Sequence, residues 1–162
     1  MHVVTVAQLL VLLILANGAP VIAKLILRDR FAMPLDGNRT FIDGKPLFGA
    51  SKTIRGVLTA VVVTTTGAPL LGLDAGLGFL VGIAAMTGDL LASFSKRRLG
   101  LAPSSRATGL DQIPESLLPL LACRQALTLN ALDIVVACGA FFVGELLLSR
   151  LLFRLGLRER PY

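Results

Sequence analysis

Gly76-Leu-Gly-Phe-Leu-Val-Gly-Ile-Ala-Ala-Met-Thr-Gly-Asp-Leu-Leu-Ala-Ser-Phe-Ser-Lys-Arg-Arg98 is an apolar run that ends on three consecutive cations and holds one carboxylate, Asp89, inside it. Crossing a bilayer as a helix takes roughly 20 apolar residues, so Gly76–Phe94 predicts a transmembrane span. Lys96, Arg97 and Arg98 then mark its cytoplasmic end. Gly78 and Gly82 form a small-xxx-small pair that lets a neighbouring helix approach closely.

Four further stretches repeat the pattern: Val3–Leu27, Ile54–Leu73, Ile113–Leu129 and Leu132–Phe153. The stretch at Ile113–Leu129 is the weakest, because Glu115 and Arg124 interrupt it. The 162 residues are 54% hydrophobic and 16% charged, with a mean hydropathy of +0.77. A soluble domain carries about 25% charged residues. This composition excludes disorder, and two cysteines, Cys123 and Cys138, exclude a disulfide framework. The N-terminus lacks the Lys or Arg that opens a secretory signal, so Val3–Leu27 reads as a first span and not as a cleaved leader. The expected fold is all-α: one domain over residues 1–162, an integral membrane bundle of five transmembrane helices whose cytoplasmic loops form the site.

Charge orients the bundle. Of sixteen Lys and Arg, six lie between Arg28 and Arg55, four between Lys96 and Arg106, and four between Arg150 and Arg160. The N-terminus, the turn around Asp74 and the segment Asn130–Asp133 carry none. Cytoplasmic loops hold the excess of Lys and Arg, which predicts a multi-pass protein of the cell membrane with its N-terminus outside and its C-terminus and two long loops in the cytoplasm. The same rule accounts for the net charge of +6, so no nucleic-acid partner is expected; contact with anionic membrane lipids is.

Polar residues gather at that cytoplasmic face. The loop Leu35-Asp-Gly-Asn-Arg-Thr-Phe-Ile-Asp-Gly-Lys-Pro-Leu-Phe-Gly-Ala-Ser-Lys-Thr-Ile-Arg-Gly56 runs straight into the second span. A helix start with free N–H groups favours anions, and Lys52, Thr53 and Arg55 add donors suited to phosphate. Two residues separate Gly49 from Lys52, so this is no Walker A loop; a solvated basic loop is the competing reading. In the third span, offsets of four and seven put Asp89, Ser93 and Lys96 on one helical stripe with Arg97 beside it. An acid followed by cations suits a metal–polyphosphate site, whereas a plain ion pair between helices is the structural alternative. Asp111-Gln112 supplies a second acid on the same face and also fits a helix N-cap. Asn17-Gly-Ala-Pro20 is expected to break the first helix in mid-membrane and to bring Asn17 to a lipid headgroup. Asp43 is a further polar candidate in the loop, and Lys24 reads as a snorkelling cation.

Asn17-Gly-Ala-Pro20, Asp43-Gly-Lys-Pro-Leu-Phe-Gly49, Ser51-Lys-Thr-Ile-Arg-Gly56, Gly88-Asp-Leu-Leu-Ala-Ser-Phe-Ser-Lys-Arg-Arg98 and Leu110-Asp-Gln112 together resemble the CDP-archaeol synthases, five-span membrane cytidylyltransferases. The fifth span carries no motif of its own. The resemblance implies a nucleotidyltransferase that converts CTP and a di-geranylgeranyl glyceryl phosphate into a CDP-lipid and pyrophosphate with Mg²⁺, in phospholipid synthesis. It implies Asp89 and Asp111 as metal ligands, with Lys96 in the chemistry beside them. Lys52, Thr53, Arg55, Ser93, Lys96, Arg97 and Gln112 would take CTP and phosphate, and Asn17 and Asp43 the lipid headgroup. The larger CDP-diacylglycerol synthases are similar at Gly88-Asp89, Ser93, Lys96-Arg97 and Asp111-Gln112-Ile113, but Pro114 stands where they carry Asp, with Glu115 after it. A phosphatidate-type cytidylyltransferase and a small membrane transporter or scaffold are the alternatives. Against a transporter, the polar residues lie at one face and do not line a path. Lipid chain type, metal count and oligomeric state stay open at this level.

The charge alternation makes a direct prediction. Reporter fusions after Gly72 and after Tyr162 should report opposite sides of the membrane, the second cytoplasmic; the same side for both would overturn the orientation.

Overall fold

The computed structural model describes residues 2–102, 105 and 107–154, the last four of these by their backbone alone. Five α-helices follow in order: α1 (Val3–Leu27), α2 (Ile54–Leu70), α3 (Ala75–Arg98), α4 (Gln112–Ala122) and α5 (Ala131–Arg154). No strand occurs among the described residues; two isolated bridges, Pro34 with Thr53 and Thr40 with Pro46, tie the long α1–α2 loop. α1, α3 and α5 (over Ala131–Arg150) are long and apolar enough to cross a membrane, and α2 is a shorter apolar helix.

Local chemistry sets the boundaries. Thr53 caps α2 by accepting from the Gly56 N–H at 3.1 Å, and Asp74 caps α3 by accepting from the Gly76 N–H at 2.7 Å. Pro69 and the left-handed Gly72 (φ 77°) end α2 before the Leu73 expected from the apolar pattern. α2 is rich in Thr, yet Thr59, Thr64, Thr65 and Thr66 each donate to a carbonyl four residues back, so their hydroxyls are satisfied inside an apolar helix.

Two expectations fail. α1 runs unbroken through Asn17-Gly-Ala-Pro20. Pro20 removes a single N–H donor, which packing of α1 on its neighbours tolerates, and Asn17 spends its side-chain amide on the Leu13 carbonyl at 3.1 Å. The fourth helix is the other. It spans 11 residues and ends at Ala122, about 16 Å at 1.5 Å per residue and short of the roughly 30 Å hydrocarbon core. Turns occupy the chain from Cys123 to Thr128, where Arg124 and Gln125 are exposed and Thr128 is left-handed (φ 50°).

α3 is the axis of the bundle: half of its apolar window is buried, against 28% for α1 and 22% for α5. Glycines make that possible. A Cβ built at Gly78 or Gly82 would come within 3.0 Å of Thr64 in α2, and one at Gly88 would meet the backbone of Pro114 and Glu115 in α4 equally closely. The expected Gly78/Gly82 pair therefore packs on α2, and Gly88 lets α4 lie against α3 beside Asp89. Around this axis Leu9, Leu12 and Leu13 of α1, Ala60 and Ala68 of α2, and Ala137 and Phe141 of α5 close the core.

The bundle has two polar ends. At one, the fully buried Asp133 accepts from the His2 backbone N–H and the Asn130 N–H and meets His2 Nδ1 at 2.9 Å, while Gln8 donates to the Leu71 carbonyl. At the other end stands the α1–α2 loop. Asp36 organises it: its buried carboxylate accepts from the N–H groups of Asn38 (2.9 Å), Phe48 (2.9 Å) and Gly49 (3.0 Å). The Leu35 N–H then bonds the Lys52 carbonyl at 2.8 Å, delivering Lys52 to the start of α2. Burial alone would raise the Asp36 pKa, but the backbone donors of Phe48, Gly49 and Asn38 outweigh it and hold the group below the usual carboxylate range.

Two predictions follow from this packing. Gly88→Ala should destabilise the protein by about 1–3 kcal/mol, as overpacking does, whereas Gly139→Ala, with nothing near its Cβ position, should be neutral or stabilising; thermal unfolding in detergent separates them. Because Asp36 is depressed in the folded state, its contribution is complete above the ordinary carboxylate pKa and is lost as pH falls through the folded value. Asp36→Asn should therefore lower the melting temperature at neutral pH and flatten its decline on acidification; parallel pH profiles would contradict the assignment.

Candidate active site

Asp89 sits on α3 one position past Gly88, so the close α3–α4 approach and the start of α2 both meet it. Lys52 Nζ donates to both of its oxygens, at 2.6 and 2.5 Å. A carboxylate at the centre of a span costs roughly 2.5–3.5 kcal/mol on insertion scales, and the cation supplied by the loop offsets that cost. The Glu115 carboxyl of α4 lies against Asp89 on the other side.

Two turns further along α3 the pattern repeats with different partners. Lys96, 7% exposed, pairs with Asp111 Oδ1 at 2.6 Å and donates to the Ser105 carbonyl. Asp111 stands at the N-terminal edge of α4 but does not cap it; its other oxygen accepts from the Ala107 N–H at 3.0 Å. Gln112 accepts from the Gly109 N–H at 2.7 Å. Ser93, buried, shares the face of α3 with these groups. Arg97 is 3% exposed and gives Nη2 to the Ala102 carbonyl, while Nε and Nη1 are buried without a partner among the described residues.

Between the last turn of α1, the loop, the start of α2 and α3 lies a cavity of about 250 Å³, lined by Lys24, Arg28, Lys52, Thr53, Arg55 and Asp89 among others. The Arg55 guanidinium grips the carbonyls of Arg28 (2.9 Å) and Arg30.

The structure thus brings Lys52, Thr53, Arg55 and Asp89 to one cavity and pairs Lys96 with Asp111. Asn17 is not among the residues lining the cavity; it is tied to its own helix. Asp43 is engaged by Arg98 at 2.7 Å, and that guanidinium also lies over Phe41 and Phe94, so Asp43 fastens the loop to the end of α3. Reading the sequence singled out neither Arg28 nor Asp36. It noted Glu115 as an acid beside Pro114 and Lys24 as a snorkelling cation, and gave neither a place in the site. The donor set suits a hard divalent cation: Asp89 and Glu115 offer adjoining carboxylate oxygens, and Mg²⁺ is commonly bound through one or two carboxylates plus substrate phosphates. Among the described residues no group of three or more His, Cys, Asp or Glu gathers, so these two acids have no third such ligand.

A family model described as CarS-like CDP-archaeol synthase matches residues 73–162, the segment from α3 onward. A CDP-archaeol synthase of Sulfurisphaera tokodaii is 35% identical over 135 residues, covering 80% of this chain and 81% of that one. One from Thermofilum pendens is 33% identical over 153 residues, 91% of this chain and 75% of that one. A solved structure of an intramembrane enzyme for archaeal membrane lipids biosynthesis superposes with a TM-score of 0.71 at 26% identity, covering 86% of this chain and 91% of that one. With Asp89, Lys96 and Asp111 all inside the matched segment, the chain belongs to the CDP-archaeol synthase family.

Proposed function

We propose that the cavity between Lys52 and Asp89 is where this chain joins CTP to its lipid phosphate. As a CDP-archaeol synthase the chain is a membrane-embedded, CTP-using cytidylyltransferase of archaeal membrane-lipid synthesis. Its lipid substrate is a di-geranylgeranyl glyceryl phosphate. A phosphate oxygen of that lipid attacks the α-phosphorus of CTP, the bond to the β-phosphate breaks, and pyrophosphate leaves. No covalent enzyme intermediate is needed, so catalysis is positioning and charge neutralisation.

The observation that carries the residue roles is the Lys52–Asp89 pair with Glu115 beside it. Asp89 and Glu115 would hold Mg²⁺, which when bound would neutralise phosphate charge. Lys52 would turn from Asp89 to a substrate phosphate as charge accumulates. Asp111, expected from sequence to share the metal, is engaged by Lys96, so its role is to hold that cation toward the triphosphate. Arg97 gives its unpartnered N–H groups to the leaving pyrophosphate, with Ser93 and Gln112 nearby.

Five crossings of the membrane are consistent with the two polar ends. The segment from Gln112 to Asn130 starts beside Lys96 and finishes at Asp133 and His2, so α4 and the turns after it travel the length of the bundle. The excess of Lys and Arg at the cavity's end of the bundle supports a cytoplasmic site, where CTP is available.

Asp89→Asn keeps the shape of the side chain and removes its charge. Turnover of labelled CTP with lipid phosphate should fall by on the order of 100-fold or more, and the Mg²⁺ response should disappear while thermal unfolding in detergent stays close to wild type. Near-normal turnover with an unchanged Mg²⁺ dependence would remove Asp89 from the centre of the reaction.

A further inference from the structure

The cavity contains two cations that the reaction above does not use. We propose that Lys24 and Arg28 form the seat for the phosphomonoester of the lipid substrate, on the α1 side of Asp89 and apart from the nucleotide phosphates at Lys96 and Arg97. This assignment rests on the cytidylyltransferase reading, which supplies the lipid phosphate.

Charge is the first argument. Four cations, Lys24, Arg28, Lys52 and Arg55, face two carboxylates, Asp29 and Asp89, across the cavity. Lys52 is paired with Asp89, and Arg55 is spent on backbone carbonyls. The side chains of Lys24 and Arg28 have no ion pair or hydrogen bond among the described residues. Asp29 balances one of them, leaving the α1 side positive. A phosphomonoester, with a charge near −1.5 to −2 at pH 7, is the complementary group.

Shape is the second. At about 250 Å³ the cavity lies near the lower end of the roughly 300–1,000 Å³ that drug-sized ligands occupy, room enough for a phosphate and a glycerol. Close in sequence to its wall residues Arg28, Asp29 and Ala32 stand exposed apolar side chains: Ile26, Phe31 and Met33 are 73%, 78% and 64% exposed. A cationic pit behind an apolar rim fits an amphiphile, with its chains on the rim and its phosphate in the pit. CTP has no use for the rim.

Backbone conformation is the third. Arg28 (φ 48°) and Phe31 (φ 58°) are both left-handed, an uncommon state for bulky residues. Such strain persists only where the surroundings enforce it, and it clusters at ligand clamps. Here Arg55 enforces it by holding the carbonyls of Arg28 and Arg30, which makes Arg55 a positioning residue for the seat.

The test uses purified full-length protein in a phosphate-free neutral detergent, with Lys24→Gln and Arg28→Gln. Equilibrium binding is measured separately for CTP, for a short-chain diether glyceryl phosphate, for the matching diether glycerol without phosphate, and for inorganic phosphate. Each variant should bind the diether phosphate about tenfold more weakly, with CTP binding unchanged and the phosphate-free lipid bound alike by all. In turnover, KM for the lipid should rise by the same factor while KM for CTP and kcat at saturating lipid hold. Loss of CTP binding, or unchanged lipid-phosphate binding, overturns the seat. Inorganic phosphate bound by wild type as tightly as the lipid overturns it in favour of a free-phosphate site. Should wild type bind the diether phosphate as expected yet transfer no CMP, the functional reading fails and the seat stands.

Discussion

The Asp89 carboxylate inside an apolar helix is the constraint around which this end of the bundle is organised. A charge in that position has to be answered by a partner, and the partner comes from outside the helix: Lys52, delivered by the loop between α1 and α2. That delivery depends on Asp36, which folds the loop by accepting backbone donors from Asn38, Phe48 and Gly49, and on Asp43, which fastens the loop to Arg98 at the end of α3. Loop, helix start and span are thereby a single polar assembly. It is also what lines a cavity in a chain whose remaining core is apolar.

The same constraint explains the glycines. Asp89 needs α2 and α4 close on either side, and side chains between the helix axes would hold them apart. Gly78 and Gly82 bring α2 in, and Gly88 brings Pro114 and Glu115 of α4 against α3. Close helix approach and the proximity of Glu115 to Asp89 are therefore one feature. A bundle packed by larger residues would place the two carboxyls on separate surfaces.

Cations at this end of the bundle fall into three different settings. Arg98 and Arg55 are structural, satisfying Asp43 and the carbonyls after α1. Lys52 and Lys96 are held ready by carboxylates. Lys24, Arg28 and the inner nitrogens of Arg97 carry donors with no partner among the described residues. The positive-inside rule predicts that such charges accumulate here but is indifferent to how they are divided.

Much of the architecture is legible in the amino-acid order because bilayer thickness and helix periodicity act locally. The limits of α1, the close-packing pair in α3, and the stripe from Asp89 to Lys96 all follow from neighbours within a few turns. What tertiary structure alone decides is partnership across the chain. Asp89 takes Lys52, thirty-seven residues away, and Asp111 takes Lys96, so acids that looked equivalent in sequence are used differently. Asn17, which looked like a helix break, is absorbed by α1, since a proline costs one hydrogen bond and neighbouring helices hold the remainder. Glu115 looked like an interruption of a span and instead adjoins Asp89, because α4 is short and crosses α3 at Gly88. Local rules fix which segments are helices and which end carries charge; which charged group meets which is set by the distances between helix axes, and those depend on side chains far apart in sequence.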